Sequence, residues 1–359
     1  LYMGQCNCPY WHGVFGGIYL GHLRHITYKN LLTAQSLAEQ KKESRWIEIE
    51  TFDFDKDGTD ELIIKNPLLN VFITPKLGGG IFELDYIPKC VNLMDVMTRR
   101  PEAYHQQIKT RVKKTFRLKK KKVSGIHDLL RSKEKGLTNF LVYDAYRRLS
   151  LLDHFLPKKL SLKEFKQGRY EELGEFIGSQ YSVRQEETGQ QARVILERVA
   201  TVNYKGSKIP ITITKQLSLN NKDAQIAIEY TLQNLTAKPL EAIFAVEFNI
   251  SSESQEHPNH LCSQAGSEEK TFSLKEDVTV KEIKELCLKD ELRGVKVSFS
   301  FDKKPDLWSH PLETISASEE GFERNYQQTV IVPHWSIKLE KSWQTKIIFG
   351  ISSCNLSNL

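Results

Sequence analysis

The chain has little of what builds secreted or membrane proteins. Its six cysteines (Cys6, Cys8, Cys90, Cys262, Cys287 and Cys354) are scattered over 359 residues. That is too sparse for a disulfide scaffold and leads us to expect a reducing, cytoplasmic setting. No apolar run approaches the ~20 residues that span a bilayer, so no membrane partner is expected. A signal-peptide pattern is missing too, and the first residue is Leu1, not methionine. Because a chemically dense motif follows at once, we expect a piece of a longer protein. Excess charge of one sign is confined to one place: residues 109–122 (KTRVKKTFRLKKKK) carry nine of the basic residues behind the net charge of +6. Without them the chain would be slightly acidic. Phe116 is the only aromatic in that run. It reads as a solvated loop, and no nucleic-acid partner is expected.

What is present is enough apolar sequence for a full core and about two to three domains. Apolar residues recur at Ile18, Leu20, Leu23, Ile26, Leu31, Leu32 and Leu37, predicting a helix over 18–44. From Arg45 the pattern changes to short β-type runs: Trp46–Glu50, Glu61–Ile64, Leu69–Ile73 and, after the corner Gly78-Gly79-Gly80, Ile81–Asp85. A domain boundary therefore falls near residue 45. Residues 88–155 read as a basic, partly helical excursion packed over a sheet, with Ile126–Leu130 helical. Beyond Phe176 alternation is clear in Arg193–Val202, Ile209–Thr214, Ala224–Tyr230, Val295–Phe301 and Thr345–Ile351, with turns at Lys205-Gly206 and Asn220-Asn221. Regular strands with few helices predict a mainly β fold, a large antiparallel β-sandwich over 46–359 preceded by a short helical segment, 1–45.

Two stretches carry candidate chemistry. The first is CNCPYWHGVFGG at residues 6–17. Cys6, Cys8 and His12 could ligate zinc, but the spacing offers no clear fourth ligand. Cys8 as a nucleophile beside His12 would need a geometry that sequence neighbours rarely reach. Alternatively Tyr10, Trp11 and His12 form a sugar-binding surface, the rings covering a pyranose face and the imidazole bonding hydroxyls. The plain alternative is a buried aromatic turn that caps the following helix, and the residue chemistry weighs these last two equally. The second stretch is Asp53-Phe-Asp-Lys-Asp-Gly-Thr-Asp-Glu61. Oxygens at alternate positions with Gly58 at the bend match the first half of a calcium loop. Ile64 stands where a helical calcium loop would close, so an EF-hand is excluded. A β-loop site would use Asp53, Asp55, Asp57, the Thr59 carbonyl and Asp60 or Glu61 for a structural Ca2+. The plain alternative is a polar hairpin turn.

Gly4 to Leu20 (GQCNCPYWHGVFGGIYL), followed by His22-Leu-Arg24, resembles the last motif in the catalytic part of glycoside hydrolase family 57, nearest its 4-α-glucanotransferases and α-amylase-like enzymes. Ile126–Arg131, Tyr143–Arg148 and Asp153–Leu156 resemble the segment that follows there, and the remainder is similar to a galactose-mutarotase-like sandwich. The resemblance implies retaining chemistry on α-1,4-glucans by a glutamate nucleophile and an aspartate acid/base. Both would sit on an upstream (β/α) barrel outside this chain, so no catalytic residue is assigned here and the chain alone is expected to be inactive. Trp11 and His12, with Tyr10 less firmly, match positions lining the glucan cleft. The resemblance also strengthens the calcium expectation. The implied partners are an α-glucan or malto-oligosaccharide and the missing barrel. Exposed apolar surface on residues 1–45 suggests self-association into a homo-oligomer. The competing expectation is a stand-alone, non-catalytic carbohydrate-binding or scaffold protein.

Overall fold

Alternating side chains decide which way each strand faces. In Val295–Phe301 every second residue is buried, so Val295, Val297, Phe299 and Phe301 form one inward face. The same logic repeats through a computed structural model describing residues 1–12, 16–39, 45–115, 136–266, 268–318 and 321–354. It contains three antiparallel sheets. The first is a five-stranded meander of Glu48–Phe52, Glu61–Lys65, Leu69–Thr74, Gly80–Tyr86 and Val91–Asn92. The second has nine strands, with Val295–Phe301, Ser342–Ser353, Gln225–Asn234 and Ser207–Asn220 side by side at its centre. The third has five strands in the order Val278–Val280, Asp306–Ser318, Gly321–Leu339, Leu240–Ile250 and Leu152–Leu156. The expected mainly β sandwich is what the chain forms.

One core joins all three sheets. Phe244, Val246 and Phe248 of the third sheet meet Phe299, Phe349 and Tyr230 of the second, and Ile64, Val71 and Leu84 of the first belong to the same cluster. Leu240–Ile250 is buried on both faces: its other side packs Ile243 and Ala245 against Trp308, Leu312 and Phe165. A polar knot sits inside this core. Lys215, fully buried, donates to Asp153 (2.9 Å), Gly78 O (2.7 Å) and Leu151 O (2.8 Å). Tyr181 and Tyr230 donate to the two oxygens of Asp153. Every proton of the ammonium has an acceptor, so the buried pair is fully compensated. The Gly78-Gly79 corner that supplies one acceptor has positive φ at both residues, and a Cβ on Gly79 would meet Lys215 Cε at 3.0 Å.

The expected helix over 18–44 is shorter. Gly17–Tyr19 forms a 3-10 turn and helix α1 runs Gly21–Glu39; residues 40–44 lie outside the described residues. Helix α1 is fastened by polar groups. Arg24 Nε donates to Asp95 at 2.7 Å in a buried pair, and the Tyr28 hydroxyl donates to Glu83 at 3.2 Å. The solvated-loop expectation for the basic run is corrected over 109–115, which belongs to helix α2 (His105–Thr115). Ile108 is buried with Leu137, Ile315 and Phe322, and this anchors one helix face to the sandwich. Phe116 and the helix expected at Ile126–Leu130 lie outside the described residues.

Candidate functional site

The opening segment folds into tight turns, Tyr2–Gln5 and Cys8–Tyr10, the second with Pro9 near its start. A proline there costs nothing, because its missing N–H would have had no partner. The chain then reverses: Ile18 N–H donates to Trp11 O at 2.9 Å. Gly17, at φ +51, is required at this crossing, since a Cβ would lie 2.2 Å from Trp11 O. The reversal presents Tyr10 and Trp11 outward, 60% and 56% exposed. The Tyr10 hydroxyl donates to Gly4 O at 2.8 Å, and the Trp11 indole N–H to Asn7 Oδ1 at 2.5 Å. Trp11 is thus tethered at one edge with much of its surface open.

His12 has the opposite surroundings. Its ring stacks on Tyr104 (centroids 5.2 Å apart, 27°) and meets the edge of Tyr19 at 5.4 Å. Its Nε2 is buried and has no hydrogen-bond partner among the described residues. Tyr19 donates to Glu102, and Tyr104 to Ile315 O. The sequence reading missed Tyr19, Glu102 and Tyr104, because residues 102–104 are brought to the opening segment only by the fold of the excursion. Cys6 and Cys8 are exposed free thiols. Among the described residues they do not gather with His12 as metal ligands would, so the zinc alternative gains no geometric support.

The acidic loop, between the strands Glu48–Phe52 and Glu61–Lys65, behaves differently. Asp53, Asp55 and Glu61 bring carboxylate oxygens within 4.8 Å of one another. Backbone N–H groups of the turn hold it in shape: Gly58 donates to Asp53, Asp57 to Asp55, Thr59 to Asp57 and Phe54 to Glu61. Asp53 Oδ1 is buried and unpartnered among the described residues. Burial pushes the Glu61 carboxyl up. Asp57 turns to Lys76 at 2.8 Å, which holds its carboxyl down, and Asp60 is exposed. The structure therefore gathers three of the expected side chains and leaves Asp57 and Asp60 outside the group.

A third cluster carried no site expectation, although segments 143–148 and 153–156, which bear the family resemblance, run through it. It lies on the face of the third sheet turned away from the core. Arg148 donates to Glu247 and Asp144, both at 2.8 Å, and Arg99 donates to Asp144 at 2.6 Å. His154, fully buried, lies 2.9 Å from Glu172 and 3.3 Å from Glu247. Burial alone would discharge this imidazole, but Glu172 and then Glu247 outweigh it and push its pKa up to about 9. Glu247 is itself held far below the usual carboxylate range: burial opposes this, and Arg148 and His154 overcome it.

Two family models match the chain. The C-terminal model of alpha-amylase/4-alpha-glucanotransferase covers residues 53–349, and the middle-domain model of the same group covers residues 1–38. The 4-alpha-glucanotransferase of Thermococcus litoralis is 33% identical over 320 residues, 89% of this chain and 43% of its own length. Alpha-amylase 1 of Dictyoglomus thermophilum is 29% identical over 355 residues, 98% of this chain and 48% of its own length. The crystal structure of the Thermococcus litoralis glucanotransferase superposes with a TM-score of 0.75 at 30% identity, over 97% of this chain and 47% of that one. A putative mutarotase from Salmonella typhimurium shares the fold, with a TM-score of 0.51 at 7% identity, over 85% of this chain and 94% of its own. The chain spans about half the length of the curated relatives it matches.

Proposed function

Because the chain belongs to the alpha-amylase/4-alpha-glucanotransferase family, we propose that it is the C-terminal part of a retaining, α-1,4-glucan-processing enzyme of glycoside hydrolase family 57. The observation that carries this reading is the pairing at the opening segment. An exposed, tethered Trp11 stands beside His12, whose buried Nε2 has no partner among the described residues. An open indole face suits the apolar side of a pyranose, and an unspent imidazole nitrogen suits a sugar hydroxyl. In this reading the segment is one wall of a glucan cleft, with Tyr10 at its edge. On the same reading the two catalytic carboxyl groups, ~5–5.5 Å apart in a retaining enzyme, lie outside this chain. The sandwich then serves as the platform that orients the wall.

The acidic loop is our candidate for a structural calcium site. Hard carboxylate oxygens suit that cation, and the orphaned Asp53 Oδ1 beside Asp55 and Glu61 fits it. Asp57 would have to leave Lys76 to join them.

The test begins with the gene. An upstream reading frame encoding a barrel is expected, and an initiator codon just before Leu1 with no such frame would overturn the reading in favour of a stand-alone binding protein. Residues 1–359 alone should show no turnover of maltoheptaose. The joined protein should be active, and Trp11→Ala should lower its kcat/KM by about tenfold, the ~1.4 kcal/mol of a lost ring contact. Turnover by 1–359 alone would be equally fatal.

A further inference from the structure

Beside the ionic cluster on the outer face of the third sheet is a cavity of about 330 Å3, within the ~300–1,000 Å3 typical of small-ligand sites. It shares no lining residue with the opening segment. Tyr143, Asp144, Tyr146, Arg148, Tyr170 and Glu172 line the cavity. The cleft reading leaves these residues without a task.

Two features specify the occupant. Arg148 is 4% exposed, and its terminal nitrogens are taken by Glu247, Tyr146 and Asp144, yet its Nε–H is buried with no acceptor among the described residues. Buried donors are almost always paired, so beside this cavity the cluster is one acceptor short among the described residues. The cluster's charges also cancel: Asp144, Glu172 and Glu247 against Arg99, Arg148 and His154. An anion would find the guanidinium already neutralised and three carboxylates nearby. A neutral polyol would instead find acceptors, a donor and three phenol rings. The Tyr170 ring is held in place by stacking on Phe165 at 5.3 Å and 16°, giving the site a fixed flat side.

We propose that this cavity binds one neutral pyranose unit, a non-catalytic sugar site on the sandwich separate from the Trp11–His12 wall. The choice of an α-glucan as its source rests on the glucan-processing reading, whereas the cavity chemistry does not. A second sugar site would hold a long chain while its end occupies the cleft.

The experiment measures maltose and maltotriose binding to residues 1–359 by calorimetry and saturation-transfer NMR, with inorganic phosphate in parallel. Ala145→Trp places a large ring on the exposed rim residue without removing a buried partner. Tyr170→Ala removes the flat side, and Trp11→Ala reports the cleft wall. The expected result is sugar binding weakened by ~tenfold or more in Ala145→Trp and Tyr170→Ala, the scale of a lost ring contact, but unchanged in Trp11→Ala. Phosphate should not bind. Sugar binding unaffected by Ala145→Trp, phosphate binding that Ala145→Trp abolishes, or no sugar binding at all would overturn the site. Loss only in Trp11→Ala would overturn it while leaving the cleft wall standing. Loss only in the cavity variants supports it whatever becomes of the wall.

Discussion

His154 carries a charge in a place where burial argues against one, and the cost is met by two carboxylates. Its folded-state pKa of about 9 lies above the ordinary value of 6.5. The native state therefore holds a proton that the unfolded chain releases as pH passes 6.5. The resulting stabilisation is fully present below pH ~6.5 and is lost as pH rises through ~9. With ~1.4 kcal/mol per pKa unit, the loss is ~3 kcal/mol. Glutamine at this position can still donate to Glu172 but does not titrate. Denaturant unfolding of the wild type and His154→Gln at pH 6 and pH 9 should show an alkaline loss larger in the wild type by that amount. Parallel profiles would mean that His154 is neutral in the fold. None of this was legible in the sequence: pairing of Leu152–Leu156 with Leu240–Ile250 brings Glu247 to the ring, and a loop 17 residues on, held by the Phe155 N–H, brings Glu172.

At the scale of elements, what the sequence revealed depended on whether a strand has one wet face. Val295–Phe301 alternates and forms the expected strand, and Lys205-Gly206 makes its hairpin with positive φ at both residues. Leu240–Ile250 and Gly321–Leu339 were not picked out, because burial on both faces erases alternation and Pro333 interrupts the second. Pairing reflects that interruption: Ala245 faces His334 and Phe248 faces Ile331, with no pairs between. The acidic loop was legible because it is local, its carboxylates lying within nine residues. If it holds calcium, the ion joins Asp53 and Asp55 on the loop to Glu61 on the next strand and stabilises only the folded hairpin. Mass action sets that gain at ~2–3 kcal/mol for an ion at 100 times its Kd. Chelator should accordingly lower the Tm of the wild type, and Asp55→Ala should abolish the difference. A Tm indifferent to chelator would leave the loop as a polar turn.

For the whole molecule, the residues before Arg45 and those after it present two kinds of surface. The sandwich buries most of its apolar residues in a large core and two smaller clusters, whereas the leading segment leaves many of its own in solvent. Tyr2 is 90% exposed, Met3 72%, Leu37 61% and Ile26 53%. Ile26 and Leu37 are eleven residues apart on helix α1, three turns, so they share one face. That face is turned away from buried Arg24, whose bond to Asp95 seats the helix on the sandwich. The sequence reading expected exposed apolar surface here, and helical periodicity made it legible; the polar seat through Asp95 was not, since that partner lies 71 residues away. Single apolar residues on a surface are ordinary, but four this exposed within the first 39 residues give that segment apolar surface to bury against a partner. In solution the set should drive reversible association of residues 1–359. Size-exclusion chromatography over a range of concentrations should show early, concentration-dependent elution. The full chain carrying Tyr2→Ser, Met3→Ser, Ile26→Gln and Leu37→Gln should elute as a monomer with an unchanged Tm, because none of the four supports the core. A wild-type chain that is monomeric throughout would show that this face is too small to pair by itself.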